Sequence, residues 1–289
     1  MSHFPYRQIG IIGTGRVARA LALALQRHSA APILLWGRNR AALSAMAREI
    51  GRATAATDTQ EMLQGCDLIG VAVSDDAIGD IVATLSPGPM VSPSPLLFHV
   101  SGRSGVGLME PLLARGVDTA AIHPAMTFTG DASTEVQRMA GAHFAVTGSS
   151  DHARDEAHRL VSLLGGVAVD VREEHRALYH AALCHAANHL VTLIAGACRA
   201  LQAAGAGDPL ALLGPLLRAA MENSLAHGFD ALSGPLLRGD GETIATHLAA
   251  LASDCPSLAP AYRAMALATL DELERCGDAS SATLRRLLD

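Results

Sequence analysis

The sequence contains no lysine; all 22 of its Lys+Arg residues are arginine. That absence excludes Schiff-base chemistry, a lysine general acid and a phosphate-loop lysine together. Aromatic residues make up only 3 % of the chain, too few for base-stacking platforms. Basic excess is missing too: the net charge is −6, so no positive field holds a phosphodiester backbone. Nucleic acid is therefore not expected as a partner. Charged residues are scarce at 17 %, against about 25 % in typical soluble chains, while hydrophobic residues reach 49 %. A disordered chain needs the reverse balance. The five cysteines (Cys66, Cys184, Cys198, Cys255 and Cys276) form no C-x-x-C pair and are odd in number, which points to a reducing cytoplasm.

Long uninterrupted apolar segments are few. The run at residues 21–25 follows a glycine turn and the charges of Arg16 and Arg19, which argues against a signal peptide. Residues 82–102 have no Asp, Glu, Lys or Arg but carry Pro87, Pro89, Pro93 and Pro95, so they do not form a spanning helix. Residues 181–198 have about the minimum spanning length, yet hold His185, Asn188 and His189. The expectation there is a buried helix of a soluble protein, with no membrane partner.

A length of 289 residues suggests two domains, at roughly 100–200 residues each. Short β-like runs at residues 8–12, 33–36, 68–73, 97–100 and 119–122 alternate with helical patterns. Runs at 143–147 and 167–171 flank a further helix begun by Ser150-Asp151. Continuous apolar strands separated by helices indicate a mostly parallel sheet covered on both faces. After about Glu173 only helical spacing remains, punctuated by residues 205–209, Gly214-Pro215 and Gly234-Pro235. The expected fold is a doubly wound α/β domain over residues 1–172, followed by an all-α domain over 173–289.

Gly13-Thr14-Gly15-Arg16-Val17-Ala18 reads G-x-G-x-x-A, after a strand and at the opening of a helix. Gly13 allows the tight turn, Gly15 lets backbone approach a pyrophosphate, and Ala18 allows close helix packing. The helix N-terminus holds the anion. The structural alternative is a glycine turn with no cofactor. The second strand ends in Trp36-Gly37-Arg38-Asn39-Arg40, without the acid that binds a ribose 2′-hydroxyl in NAD enzymes. Arg38 and Arg40 can pair a 2′-phosphate, which favours NADP. Otherwise they border a solvated helix start. Ser74 and Asp75 follow another strand and belong near the inner ribose or nicotinamide, or else only cap the next helix. His99-Val100-Ser101-Gly102 and His123-Pro124 end two further strands and face the nicotinamide from the substrate side.

The helical half opens with Tyr179-His180, Cys184-His185 and Asn188-His189. At 100° per residue His180, Cys184 and Asn188 share one face. His185 and His189 have zincin spacing, but Ala186 stands where the glutamate base belongs. No third ligand is evident, and no metal is expected.

These pieces together resemble the two-domain family called Rossmann-like plus DUF2520. The likeness rests on the glycine unit, His99-Val100-Ser101-Gly102, His123-Pro124 with Thr127-Phe128, and Tyr179-His180-Ala181-Ala182 with Asn188. The later run Ala231-Leu232-Ser233-Gly234-Pro235-Leu236-Leu237-Arg238-Gly239-Asp240, ending near His247, is similar to the family's C-terminal signature. The resemblance covers nearly the whole chain. It implies an NADP-dependent oxidoreductase; some members are linked to ketopantoate reduction. More distantly, the plan is similar to pyrroline-5-carboxylate reductases, prephenate dehydrogenases and 3-hydroxyacid dehydrogenases. There a Rossmann domain meets a helical dimerisation domain, which implies a homodimer through the C-terminal helices. His123-Pro124 resembles the His-Pro element of prephenate dehydrogenases, whose histidine contacts the reacting oxygen. Hydroxyacid dehydrogenases and ketopantoate reductases use a helix lysine, which this chain lacks; His180 and Asn188 stand on the comparable helix.

The combined expectation is hydride transfer between NADP(H) and a carbonyl, imine or hydroxyl of a small anionic metabolite. His123, taken to titrate near neutral pH, is the expected proton donor, with His180 as second choice. Ser101, Gly102, Tyr179 and Asn188 are expected to hold the substrate. A cofactor-sensing protein without turnover and a prephenate-type dehydrogenase stay open as alternatives.

Overall fold

Continuous apolar runs become the strands of one sheet. In the computed structural model, which describes residues 4–85, 95–277 and 282–289, the strands are β1 (Ile9–Ile12), β2 (Ile33–Trp36), β3 (Ala53–Ala55), β4 (Leu68–Val71), β5 (Leu96–His99), β6 (Thr119–Pro124), β7 (His143–Gly148) and β8 (Val167–Asp170). They lie in the order β3-β2-β1-β4-β5-β6-β7-β8. All neighbours are parallel except β6 and β7, where Ile122 faces Val146 in antiparallel register. Prolines 87, 89 and 93 lie outside the described residues.

The chain divides into two compact units, Met1–Cys184 and His185–Asp289. In the first, α1 (Arg16–Leu25), α2 (Arg40–Ile50), α3 (Thr59–Gly65), α4 (Ile78–Leu85), α5 (Glu110–Leu113), α6 (Ala132–Met139), α7 (Asp151–Leu163) and α8 (Arg176–Leu183) accompany the sheet. Side chains alternate along each strand. Ile9, Ile11 and Phe98 pack with Leu21, Leu25 and Leu160 in one core layer; Ile12, Ile69 and Leu97 pack with Met62, Ile78 and Val82 in the other. The Asn39, Asp58, Asp131 and Ser150 side chains cap α2, α3, α6 and α7. Helix α1 starts at Gly15 with no side-chain cap.

Residues 173–184 belong to the first unit, beyond the expected boundary at 172/173. They are fastened to the strand ends by Glu173, Arg176 and Tyr179. Strand β3 has no counterpart in the sequence reading; Ala-Thr-Ala carries no apolar run to mark it.

The second unit holds α9 (His189–Ala203), α10 (Pro209–His227), α11 (Gly241–Asp254), α12 (Ala259–Arg275) and α13 (Ala282–Leu288). Its core is small, built from Ile244, Ala266, Leu270, Leu273, Leu284 and Leu288. Gly214-Pro215 does not interrupt the helix as expected: α10 runs through Pro215. The carbonyl that Pro215 leaves unbonded belongs to exposed Ala211, where water can satisfy it. The buried helix expected over residues 181–198 is also corrected. Glu173–Ala203 is the one stretch among the described residues long and apolar enough to cross a membrane, and only 6 % of its apolar window is buried. Leu190, Val191 and Leu193 of α9 and Leu212, Leu216 and Leu225 of α10 are exposed, because the single chain offers them no partner.

Candidate active site

Strand order reverses between β1 and β4, and ligands of such sheets sit beyond the strand ends at that point. A cleft of about 590 Å3 lies there. Its walls come from the glycine turn after β1 (Gly13 to Val17), the end of β2 (Trp36 to Asn39), the end of β4 (Ala72 to Ser74), and Val100 and Phe128. Gly13 has φ +120°, and a Cβ there would strike the Ala72 carbonyl. Gly15 is the opposite case: a Cβ would meet nothing within 4 Å. Open space in front of an uncapped helix N-terminus fits a pyrophosphate, which would take the free first-turn amides.

At the β2 end the two arginines separate. Arg38 lines the cleft and makes no hydrogen bond or ion pair among the described residues. Arg40 turns away, donating to the carbonyls of Ala56 and Thr57 at 3.4 and 3.3 Å. The Asn39 side chain accepts from the Ala42 amide as the cap of α2. Ser74 lines the cleft, whereas Asp75 and Asp76 are both held by Arg103 at 3.0 Å. Arg16 reaches over the turn to the Phe128 carbonyl at 3.1 Å, fixing one wall.

A second group of side chains gathers at the ends of β5 and β6. His123 Nδ1 and the Tyr179 hydroxyl are 2.9 Å apart, with the rings edge to face at 5.7 Å. The His180 ring stands 5.7 Å from His123, again edge to face, and its Nε2 lies 3.7 Å from Cys184 Sγ. Gly102 is the floor beneath both histidines: a Cβ would lie 2.9 Å from His123 Nε2 and closer still to His180 Cδ2. The expectation that His123 titrates near neutrality does not hold. Burial, then the charges of His180 and Arg176, push it down to about 4, so the ring is neutral at pH 7. Burial also moves the Tyr179 phenol upward, with Arg176 acting against the shift.

The loop carrying Ser101 and Gly102 is fastened from two sides. His99, fully buried, accepts from the Ser101 amide at Nδ1 and bonds the Gly105 carbonyl through Nε2 at 2.8 Å; that pattern requires the neutral Nε2–H tautomer. The Glu173 carboxylate accepts from the amides of Val106 and Gly107. Arg176, 0 % exposed, donates to the Ser101 carbonyl at 2.9 Å, the Thr147 hydroxyl at 2.8 Å and the Ala121 carbonyl at 3.4 Å. Among the described residues its Nε has no hydrogen-bond partner, and no carboxylate forms an ion pair with it. Neither Glu173 nor Arg176 was expected at the site. The available signal was a pair of charges, Arg176 one turn and Glu173 two turns before Tyr179-His180, at the opening of an otherwise apolar helix.

The structure thus joins His123, His180, Tyr179, Ser101 and Gly102 in one cluster, and Gly13, Thr14, Gly15, Arg16, Val17, Arg38, Asn39 and Ser74 around one cleft. Asn188 lies in the second unit, at the end of the π turn Cys184–Asn188, which breaks the 3.6-residue phase expected to align it with His180. His185 and His189 bring their rings to 5.2 Å, and among the described residues no group of three ligands is placed to hold a metal.

No curated protein matches the sequence. Among solved structures, a Bacteroides fragilis protein assigned as an NADP oxidoreductase superposes with TM-score 0.74 at 21 % identity, covering 92 % of this chain and 99 % of that one. A reductive aminase from Aspergillus terreus in complex with NADPH gives 0.62 at 20 % identity over 85 % of each chain. Pyrroline carboxylate reductase from Plasmodium falciparum with NADP bound gives 0.60 at 13 % identity, over 97 % of this chain and 100 % of that one. At these identities the likeness establishes the fold. Residues 3–124 match the model of a Rossmann-like domain, and residues 142–269 match DUF2520, a domain of unknown function. The chain therefore joins a Rossmann-like domain to a DUF2520 domain.

Proposed function

We propose that this protein is an NADPH-dependent reductase acting on the carbonyl or imine of a small anionic metabolite. The reading is carried by the cleft at the strand-order reversal, where an uncapped helix N-terminus and Arg38, unpaired among the described residues, offer sites for a pyrophosphate and a 2′-phosphate. When bound, the nicotinamide supplies a hydride. The protein contributes the glycine turn that seats the cofactor and Arg38 that selects it. The cluster of His123, Tyr179 and His180 meets the reacting oxygen. Buried Arg176, which makes no ion pair with any described carboxylate, favours a negatively charged ligand nearby. The solved relatives with NADP or NADPH bound support the same cofactor.

Titration of both cofactors by fluorescence tests the first part. NADPH is expected to bind at least tenfold tighter than NADH, about 1.4 kcal/mol, and Arg38→Ala to remove the preference. Arg40→Ala is expected to retain it, since that side chain is engaged by carbonyls. Equal affinities in the wild type would sink the assignment. Oxidation of NADPH in the presence of small 2-oxo acids and a cyclic imine tests turnover. Tight binding with no oxidation across the panel identifies a cofactor-sensing protein instead.

We further propose that two copies associate through α9 and α10, covering the exposed leucines of both helices. Light scattering without detergent is expected to give twice the 29.9 kDa chain mass. A monomer at micromolar concentration contradicts the dimer, and a protein that stays soluble only in detergent favours a membrane instead.

A further inference from the structure

Reduction of a carbonyl leaves an alkoxide, and a proton donor must stand within hydrogen-bond reach of it. In this cluster His123 is the obvious group by sequence, but a neutral imidazole is a poor acid. Its Nδ1 is engaged with the Tyr179 hydroxyl at 2.9 Å. Its Nε2 has no hydrogen-bond partner among the described residues and faces the Gly102 backbone. The hydrogen bond between ring and phenol can run in two directions. If the proton sits on Nε2, the phenol gives its hydrogen to Nδ1. If it sits on Nδ1, the phenol oxygen accepts, and the phenol's own hydrogen is free to point at a ligand. Arg176 lies three residues before Tyr179 on α8, one helical turn away. Its fully buried guanidinium makes no ion pair with a described carboxylate, although Glu173 acts on its charge from further off, and it favours negative charge on the phenol oxygen.

Resting on the reductase reading above, we propose that Tyr179 is the proton donor, oriented by an Nδ1–H of His123 that donates to its oxygen, with Arg176 as the fixed positive charge behind it. A bound NADPH would supply the hydride, with its electron pair, to the carbonyl carbon, the C=O π pair moving to oxygen. The phenol O–H bond breaks and the substrate O–H bond forms. The phenolate that remains is held by the His123 Nδ1–H and the Arg176 field, and water returns the proton once product has left. Burial holds the phenol protonated through the neutral range, so the donor is charged with its proton before each turnover.

Two measurements test this. Histidine-selective 15N spectra of the whole protein at pH 7 are expected to show His123 neutral with the proton on Nδ1, and to lose that preference in Tyr179→Phe. An imidazolium at pH 7, or a proton on Nε2, overturns the proposal whether or not a substrate is known. In the second, wild type, Tyr179→Phe and His123→Asn are assayed for NADPH oxidation with the panel above. Tyr179→Phe is expected to lower kcat by about 10²-fold or more with NADPH affinity unchanged. His123→Asn, which keeps an N–H donor near the phenol oxygen, is expected to lose less. Turnover of Tyr179→Phe within threefold of wild type overturns the proposal. A wild type that reduces nothing in the panel defeats the reductase reading, while the spectra still decide the direction of the hydrogen bond.

Discussion

Gly13→Ala is expected to lose both stability and cofactor binding, and Gly15→Ala to lose binding alone. The two glycines are separated only by Thr14, yet their surroundings differ. Gly13 has φ +120°, where a side chain costs roughly 1–3 kcal/mol in backbone strain, and its Cβ would strike a main-chain carbonyl that cannot rotate away. The strands β1 and β4 must part locally, so the melting temperature falls and NADPH affinity drops by about 10²-fold. At Gly15 φ is −75° and the space is open, so the fold accepts alanine. A Cβ there occupies the room a pyrophosphate needs, and affinity is expected to fall by about tenfold at unchanged melting temperature. Thermal melts paired with fluorescence titration separate the two effects. Normal NADPH binding by Gly15→Ala would place the phosphates elsewhere.

Arg176→Ala is expected to be the most destabilising change around the His123 cluster. Three acceptors, the Ser101 and Ala121 carbonyls and the Thr147 hydroxyl, lose a charged donor at once, and a void replaces a fully buried side chain. Hydrogen bonds to charged groups are worth about 1.5–3 kcal/mol each and are not additive, so a loss of about 3 kcal/mol or more is expected. Chemical denaturation measures it. The loop carrying Gly102 should loosen as well, seen as faster amide exchange at Val106 and Gly107. A stability within 1 kcal/mol of wild type, about the scale of one ordinary hydrogen bond, would mean that water takes over the three acceptors.

Much of this molecule is legible in its residues. Ile-Gly-Ile-Ile and Ile-Leu-Leu-Trp are buried strands because no polar residue interrupts them, and Gly13 to Ala18 marks the turn that follows. The individual members of the site were legible too, but not their pairing. Nothing local says that His123 meets Tyr179, since they stand 56 positions apart. The lowered titration of His123 is a property of burial on β6 and of neighbours on α8, which no single segment carries. Arg38 and Arg40 are equivalent as letters. They part only because β3 ends where Ala56 and Thr57 present carbonyls to Arg40, and β3 itself leaves no apolar trace. The bare faces of α9 and α10 show the reverse limit: an apolar helix signals that something covers it, but not whether the cover comes from its own chain.

The clasp of the Ser101 to Gly107 loop also bears on how the protein is made. Glu173 takes the Val106 amide across 67 positions, and Arg176 takes the Ser101 carbonyl across 75. A ribosome adding 5–20 residues per second delivers Ser101 about 4–15 s before its clasp. During that interval β1 to β5 can assemble, because their mates arrive in order, while the loop's amides stay in water. The nascent chain therefore acquires the cleft beside the glycine turn before the floor under His123 is set.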